Sequence, residues 1–324
     1  MPDCSVHMRP ATAVDYEAVA QVMNAVQPTQ PVTADELRSR DERRDPICRF
    51  ARWVAEVNEQ VIACAHYTQY IDMYQPGKFW LSMGVLPRWQ RQGVGCALYA
   101  ALLADLQQWQ PVTLQTQAAE DSLAACAFLE KQGFVEYGRR WESYLDVAGF
   151  DARPYGDFSG QLAEQGIILR AYNELADDPQ REEKLYEIQW ALDQDVPSLD
   201  PITRMSLAQF RQQVVANPTF VPDGTFVALH GSDYVGMSSF FVNQGDNSLV
   251  IDLTGTRRDY RRRGIALALK LQGILFAQRN GYARIIVTND TANQGMLAIN
   301  AKLGFTRRPA MIQYRRHFEQ PHDE

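Results

Sequence analysis

Gln90-Arg91-Gln92-Gly93-Val94-Gly95 and Arg261-Arg262-Arg263-Gly264-Ile265-Ala266 are one pattern written twice in this chain. Gly93 and Gly264 stand 171 positions apart, and the same offset joins Leu98 to Leu269, Gly133 to Gly304 and Phe134 to Phe305. A register shared over about forty residues without a gap is the mark of an internal duplication. Each copy reads as strand, glycine turn, then helix. Glycine admits φ > 0 at the turn, and the helix that follows aims N–H groups and its positive dipole end at one point beyond the strand. A pyrophosphate is the expected occupant of that point.

With 324 residues the chain has room for two domains of about 160 residues, each able to bury its own core. A hydrophobic content of 46% and a charged content of 22% are those of a globular chain, which sets aside disordered and fibrous classes. Residues 1 to 160 carry a net charge of −6 and the remainder −1, within a total of −7. So acidic a chain is a poor general binder of nucleic acid, and no nucleic-acid partner is expected. Met1 to Pro10 has no apolar core and no apolar run approaches about 18 residues, so neither a signal peptide nor a membrane partner is expected. The expected location is the cytoplasm. The five cysteines, Cys4, Cys48, Cys64, Cys96 and Cys126, are odd in number and form no C-x-x-C pair, which argues against a disulfide framework or a metal site.

Around the glycine turns the pattern fills in. Val14, Ala18, Val19 and Val22 have helical spacing, and Thr33 with Glu36 reads as a capping box opening a second helix. Trp53–Val57 and Val61–Tyr67 are rich in β-formers on either side of Asn58-Glu59, a hairpin signal. Strand Phe79–Val85 leads into the first turn, followed by helix Cys96–Leu106, strand Val112–Thr116, helix Leu123–Lys131 closed by Gly133, and strand Glu142–Val147. The second half repeats the order, with helices Arg181–Leu192 and Leu207–Ala216 and strands Thr225–Leu229, Val235–Phe241 and Leu249–Thr254. Helix Ile265–Gln278, strand Ile285–Thr288, helix Gly295–Lys302 and strand Met311–Arg316 complete it. Phe150 to Gln165 mixes Gly, Pro, Asp and Ser without periodicity and reads as the linker.

Neither copy contains the G-x-x-x-x-G-K-[ST] of a Walker loop or the G-x-G-x-x-G of a dinucleotide fingerprint. Both contain [Q/R]-x-x-G-x-[G/A] after a strand, the first behind Val85 and Pro87, and both reach a Gly-Phe pair about forty residues later. In these motifs the chain resembles the GCN5-related N-acetyltransferase (GNAT) superfamily. The run Ile265 to Lys270, followed by T-N-x-x-x-N-x-x-M-L-x-x-N-x-x-L-G-F over Thr288 to Phe305, resembles its tandem, mycothiol synthase-like type. The resemblance implies an α/β fold of two tandem GNAT domains, 1–155 and 156–324, each a mixed sheet flanked by helices and splayed between its fourth and fifth strands. It also implies acetyl-CoA in the splay as acyl donor, with no metal, and an acetyl transfer to a small primary amine by a monomer or homodimer.

On that reading Gln90, Arg91, Gln92, Gly93, Val94 and Gly95 grip the coenzyme in one half, and Arg261, Arg262, Arg263, Gly264, Ile265 and Ala266 in the other. Backbone groups near Val85 and Thr256 pair with the pantetheine arm as an added strand would. Asn289 and Asn293 match the family's asparagines, Asn293 being the expected coenzyme contact. The second half lacks the proline of V-x-P, having Arg258 where Pro87 stands, which leaves its strand-end bulge the less expected of the two.

Catalytic residues are less plainly written. The tyrosine that many superfamily members carry four residues before the Gly-Phe pair is Leu129 in one copy and Asn300 in the other. Asn300 could donate a hydrogen bond there. Asp252 is the candidate base, since an acid inside the run Leu249 to Thr254 is costly unless paired or employed, whereas its counterpart Leu81 is inert. The first half has Ala118 and Ser122 where Asn289 and Asn293 stand, a contrast that favours the second half as the working one. Asp193, Asp195 and Asp200 flank the expected acceptor cleft and read either as solvated charges or as a bias toward a cationic acceptor. The missing tyrosines also motivate a rival reading, a coenzyme-binding sensor or scaffold whose catalytic centres have decayed.

Overall fold

The structure is a computed structural model that describes residues 5–197 and 200–319, so that Cys4 lies outside the described residues. In chain order the strands are β1 His7–Pro10, β2 Phe50–Val57, β3 Gln60–Thr68, β4 Lys78–Val85, β5 Thr113–Ala119, β6 Val135–Asp146, β7 Ile167–Ala171, β8 Phe226–His230, β9 Asp233–Asn243, β10 Ser248–Thr256, β11 Arg284–Asp290, β12 Thr306–Arg307 and β13 Met311–His317. The helices are α1 Tyr16–Val26, α2 Ala34–Glu42, α3 Val94–Leu106, α4 Leu123–Lys131, α5 Phe158–Ala163, α6 Arg181–Asp193, α7 Leu207–Phe210, α8 Ile265–Arg279 and α9 Gln294–Lys302. None is long and apolar enough to cross a membrane.

The chain packs as two compact units that are not its two sequence halves. One runs to Arg139 and takes in Gln244–Asp246 and the chain from Met311 on; the other holds Arg140–Asn243 and Asn247–Ala310. Two strands decide this. The strand Met311–Arg316, which the sequence places at the end of the second half, pairs antiparallel with β5 in unit one, from Met311↔Ala119 to His317↔Thr113. Glu142 to Asp146, which the sequence gives to the first half, pairs with β11 in unit two. The stretch Phe150 to Gln165, read as a plain linker, includes α5, capped by the Asp157 side chain on the Gly160 amide.

Unit one is a mixed sheet in the order β1-β2-β3-β4-β5-β13. Its two faces have separate cores. Leu98, Leu102 and Leu106 of α3 pack with Phe79, Leu114 and Tyr314, while Val19 and Val22 of α1 and Leu37 of α2 pack with Val54, Val61 and Cys64. The β2–β3 hairpin turns on Asn58 and Glu59, both at positive φ (49° and 63°), as a two-residue turn matched to strand twist requires. Thr33 caps α2 by accepting from the Glu36 amide.

Unit two repeats the plan as β6-β11-β10-β9-β8-β7, with β12 beside β6. Ile265, Leu269 and Ile274 of α8 cover one face with Phe240, Ile251 and Ile285; Leu185, Ile188 and Leu192 of α6 cover the other with Val227, Met237 and Leu253. The helix expected over Leu207 to Ala216 is one α-turn that widens into a π-turn at Arg211–Val215.

In both units the parallel strand pair opens. β4 and β5 pair only from Lys78↔Thr113 to Trp80↔Gln115, and β10 and β11 only from Leu249↔Ile285 to Ile251↔Val287. Beyond those three pairs each couple separates toward the glycine turn. The splay expected between the fourth and fifth strands is therefore present twice.

Candidate active site and coenzyme cradle

The two turns have the same backbone. Gly93 and Gly264 are the N-caps of α3 and α8, each left-handed at φ 84°, and Arg91 and Arg262 are each at φ 63°. A non-glycine residue at positive φ is uncommon, so its recurrence at matched positions shows that both copies impose one loop shape. A Cβ built on Gly93 or Gly264 would meet nothing within 4 Å. The space over each helix start is thus open to a ligand, with helix N–H groups directed at it. A helix start of this kind is the arrangement that favours an anion.

Side chains brace the loop in a way the sequence did not disclose. Gln90 Nε2 donates to the Val85 carbonyl at 2.9 Å, and Arg261 Nε donates to the matching Thr256 carbonyl at 3.3 Å. Gln92 Nε2 donates to the Arg88 carbonyl at 2.8 Å, and Arg263 to the matching Asp259 carbonyl at 3.1 Å. Four residues expected to touch phosphate therefore tie the loop to the strand end and to the turn before it. Arg91 and Arg262 are exposed and make no side-chain bond among the described residues, which leaves each as the free cation of its cradle. Val94 and Ile265 point inward to the cores, and Gly95 and Ala266 lie half-buried one residue into the helix.

Arg261 has a second duty. With Arg258 it holds Asp195, whose carboxylate accepts from Arg258 Nε at 2.8 Å and from Arg261. The Arg258 hydrogen bond is the largest cause holding the Asp195 carboxyl below its usual range. Asp195 is thus occupied by two guanidinium groups, and the cationic-acceptor reading loses one of its three carboxylates. The loop after α6 is pinned to the cradle of unit two instead.

Only β10 carries a bulge beside its splay. Its register against β9 passes from Ile251↔Phe240 to Thr254↔Ser238, so Asp252 and Leu253 oppose Ser239 alone, whereas β4 pairs regularly with β3 from Val85 to Trp80. This reverses the expectation drawn from Pro87. Ser239 Oγ accepts the Leu253 amide at 3.2 Å and lies 3.5 Å from Asp252 Oδ2. A bulge re-aims side chains. Here it leaves Asp252 exposed while Leu253 stays buried, so the cost of burial that singled out Asp252 does not arise, and its carboxylate opens to solvent at the mouth of the splay.

The asparagines divide their work. Asn293 caps α9 by accepting from the Met296 amide at 3.3 Å, so its oxygen serves the helix. Asn300, buried in α9, donates from Nδ2 to Asn289 Oδ1 at 2.7 Å, which places Asn289 and Asn300 together just past the last β10–β11 pair. Asp252 has Ser239 as a neighbour on β9.

Lys270, read only as part of a motif, lies fully buried on α8, and burial pulls its amine from the ordinary 10.5 down to about 7. The unfolded chain then binds more protons than the folded one between those two values. Stability therefore rises with pH across that window, by at most about 1.4 kcal/mol per unit. Thermal melts of wild type and Lys270→Met from pH 6 to 10 check this: the variant should lose the rise, and parallel curves would refute it.

The description "Acetyltransferase (GNAT) family" matches the chain twice, over residues 19–134 and 182–305. Mycothiol acetyltransferase of Catenulispora acidiphila is 25% identical over 236 residues, covering 71% of this chain and 70% of its own. The Nocardioides sp. protein of the same name is 26% identical over 253 residues, covering 73% and 80%. Among solved structures, a GCN5-related N-acetyltransferase from Sphaerobacter thermophilus superposes with a TM-score of 0.72 at 18% identity, over 100% of this chain and 99% of that one. A tandem GNAT protein from the clavulanic acid biosynthesis pathway gives 0.74 at 18% identity, over 97% and 98%. Two family matches spanning most of the sequence, on two splayed sheets each with its glycine cradle, make this chain an N-acetyltransferase that belongs to the acetyltransferase (GNAT) family.

Proposed function

We propose that the protein moves the acetyl group of acetyl-CoA to a small primary amine, and that unit two is the working centre. The observation that carries this is the coincidence, in unit two alone, of cradle, splay and bulge, with the Asp252 carboxylate at the opening. Acetyl-CoA would supply an activated thioester. The chain's part is to hold the diphosphate on the Gly264 amides and Arg262, and to let an extended arm follow the strand edge that β10 exposes beyond Ile251. Thr256 Oγ1, buried without a hydrogen-bond partner, is a further polar group at the end of that edge. A neutral amine attacks the thioester carbonyl, and its surplus proton passes to Asp252 and on to solvent. A small-molecule acceptor is supported by the matched relatives, both named mycothiol acetyltransferases.

Unit one has the cradle and the splay, but Leu81 stands at the Asp252 position, Leu129 at the Asn300 position, and no bulge interrupts β4. It is proposed to bind coenzyme without turnover, the sensor reading confined to one unit.

Thiol release from acetyl-CoA across a panel of primary amines tests the reaction. Asp252→Asn should lower kcat about 100-fold and remove the acid limb of its pH profile, with KM for acetyl-CoA little changed. An unchanged rate and profile would remove Asp252 as the base. Binding without thiol release for every amine would favour the sensor reading for both units.

A further inference from the structure

Strand register sets three rows of side chains on the face of unit one that α1 and α2 cover. Val54, Cys64 and Gly84 stand opposite one another on β2, β3 and β4 and form the first row. It lies under α1: Val54 and Cys64 are buried with Val19 and Val22, and a Cβ on Gly84 would lie 3.3 Å from Val26. The second row is Arg52, His66 and Ser82, and the third is Phe50, Thr68 and Trp80. Here the apolar cover gives way, and all but Thr68 are only half-buried. Unit two differs, since the same face there carries Val227, Met237 and Leu253 buried under α6.

Arg52 is the centre of this floor. Its side chain is 8% exposed, and its guanidinium packs on the rings of Phe50 and Tyr16, 4.9 and 5.4 Å from their centroids. Nη1 donates to Asp41 Oδ2 at 2.7 Å and Nη2 to Oδ1 at 3.4 Å, which uses the end of the group, while Nε on its side edge is buried without a hydrogen-bond partner. That side edge, Nε with the outer hydrogen of Nη2, is a fork that matches a carboxylate with two parallel bonds. Asp41 is already shared, because it also accepts from Arg44 Nη2 at 2.8 Å and from the Tyr16 hydroxyl at 3.0 Å. Of the charges around the pair of guanidinium groups, Arg40 is matched by Glu36 and Asp72 by Lys78. The other groups of the floor are donors as well. Trp80 Nε1 is buried without a partner, Ser82 brings a hydroxyl, and His66 is held neutral, with one N–H, by burial and then by Arg52 and Arg44. Each unmet donor carries a desolvation cost, and donors in excess point to an anion that completes them.

We propose that this floor of unit one binds a small organic carboxylate with a flat apolar body, its oxygens on the Arg52 fork and its body across His66 and Ser82 toward the Trp80 ring. The rings favour such a body over an inorganic anion: Phe50 lies beside His66, and Tyr70 packs edge-on against Trp80 at 6.2 Å. Trp80 is also the last residue of β4 that pairs with β5, so the floor reaches the opening of the splay. A carboxylate held there would lie beside the acyl end of a coenzyme in the first cradle. That adjacency rests on the coenzyme reading above, whereas carboxylate binding does not.

Calorimetry with benzoate, benzamide and inorganic phosphate, each in the absence of coenzyme, tests the proposal. The protein should bind benzoate at least about tenfold more tightly than the neutral amide or phosphate. Arg52→Gln, which removes the charge and the fork, should bring benzoate and benzamide to within about twofold of each other. Ser82→Leu keeps the fork and places bulk on the floor, so it should weaken benzoate at least about fivefold. Melting curves accompany both variants, and if Arg52→Gln does not fold, Ser82→Leu and the comparison of the three probes carry the test. Equal binding of benzoate and benzamide, phosphate as the tighter anion, or benzoate binding untouched by Ser82→Leu would each overturn the proposal. Acetyl-CoA is titrated separately. Benzoate binding in a protein that takes up no acetyl-CoA would remove the coenzyme reading and leave this site standing, and acetyl-CoA binding without benzoate binding would do the reverse.

Discussion

Gly264→Asp is expected to weaken acetyl-CoA binding at unit two by at least about 100-fold while leaving the unit folded. Gly264 sits at φ 84°, where an L side chain costs about 1–2 kcal/mol. The new carboxylate would project into the open space above the helix start, where a Cβ meets no atom within 4 Å. A like charge about 4 Å from a phosphate near a protein surface adds repulsion of about 4 kcal/mol at most. About two-thirds of that repulsion already makes up the 2.7 kcal/mol of a hundredfold change, while the backbone strain, present with and without ligand, falls on stability rather than affinity. Because no neighbouring atom is displaced, the melting temperature should move by only a few degrees. Arg262→Ala, which removes the free cation and keeps the backbone, should cost about tenfold by comparison. Calorimetry with acetyl-CoA reads both, and a Gly264→Asp protein that binds as wild type does would show that the loop is a bare turn.

Gly273→Leu is expected to destabilise unit two by about 3 kcal/mol. Leucine in place of a helical glycine ordinarily gains under 1 kcal/mol in helix propensity. Here α8 crosses β9 so closely that a Cβ on Gly273 would lie 2.7 Å from Phe240 Cε2, and the Phe240 ring is fully buried with nowhere to turn. Overpacking of that kind costs about 1–3 kcal/mol for added methylenes, and a whole isobutyl group lies at the upper end. Chemical denaturation measures it. The double variant Gly273→Ala with Phe240→Leu should recover most of the loss, and a stable Gly273→Leu would mean that α8 does not pack as described.

How much of this was legible beforehand depends on how local the cause is. The glycine turns, the Asn58-Glu59 hairpin and the Thr33 cap follow from backbone preferences and short-range hydrogen bonds, and each is where the sequence puts it. The partner of β5 is not local. Met311–His317 pairs with Thr113–Ala119 across some two hundred intervening residues, and nothing in its apolar alternation says which unit it completes. The site shows the same division. Gly93 and Gly264 were readable because only their backbone matters, but the direction of a long side chain is decided by whichever carbonyl comes within reach. Gln90, Gln92, Arg261 and Arg263 accordingly read as coenzyme contacts in the sequence, and what the fold adds is that their side chains brace the loop. Asp252 stands out in the sequence through a burial cost that the bulge cancels, and the bulge forms against Ser239, thirteen residues away on β9. Lys270 was hidden because a lysine in an apolar helix reads as the polar face until the crossing with Phe305 is known.

The repeat itself raises the question of why two cradles persist when only one lies beside a bulge. Both keep the left-handed glycine, the left-handed arginine and two side-chain braces, although the residues making the braces differ. Preservation of the loop shape with different chemistry is what a shared ligand would require, while divergence at Leu81 and Asp252 is what unequal roles would require.

The most direct measurement is a crystal structure of the protein with acetyl-CoA at saturating concentration. A diphosphate should lie on the amides at the start of α8, within hydrogen-bonding distance of Arg262, with its pantetheine arm running between β10 and β11. Cradles empty at both Gly93 and Gly264 under those conditions, or a carrier bound elsewhere on the chain, would contradict it.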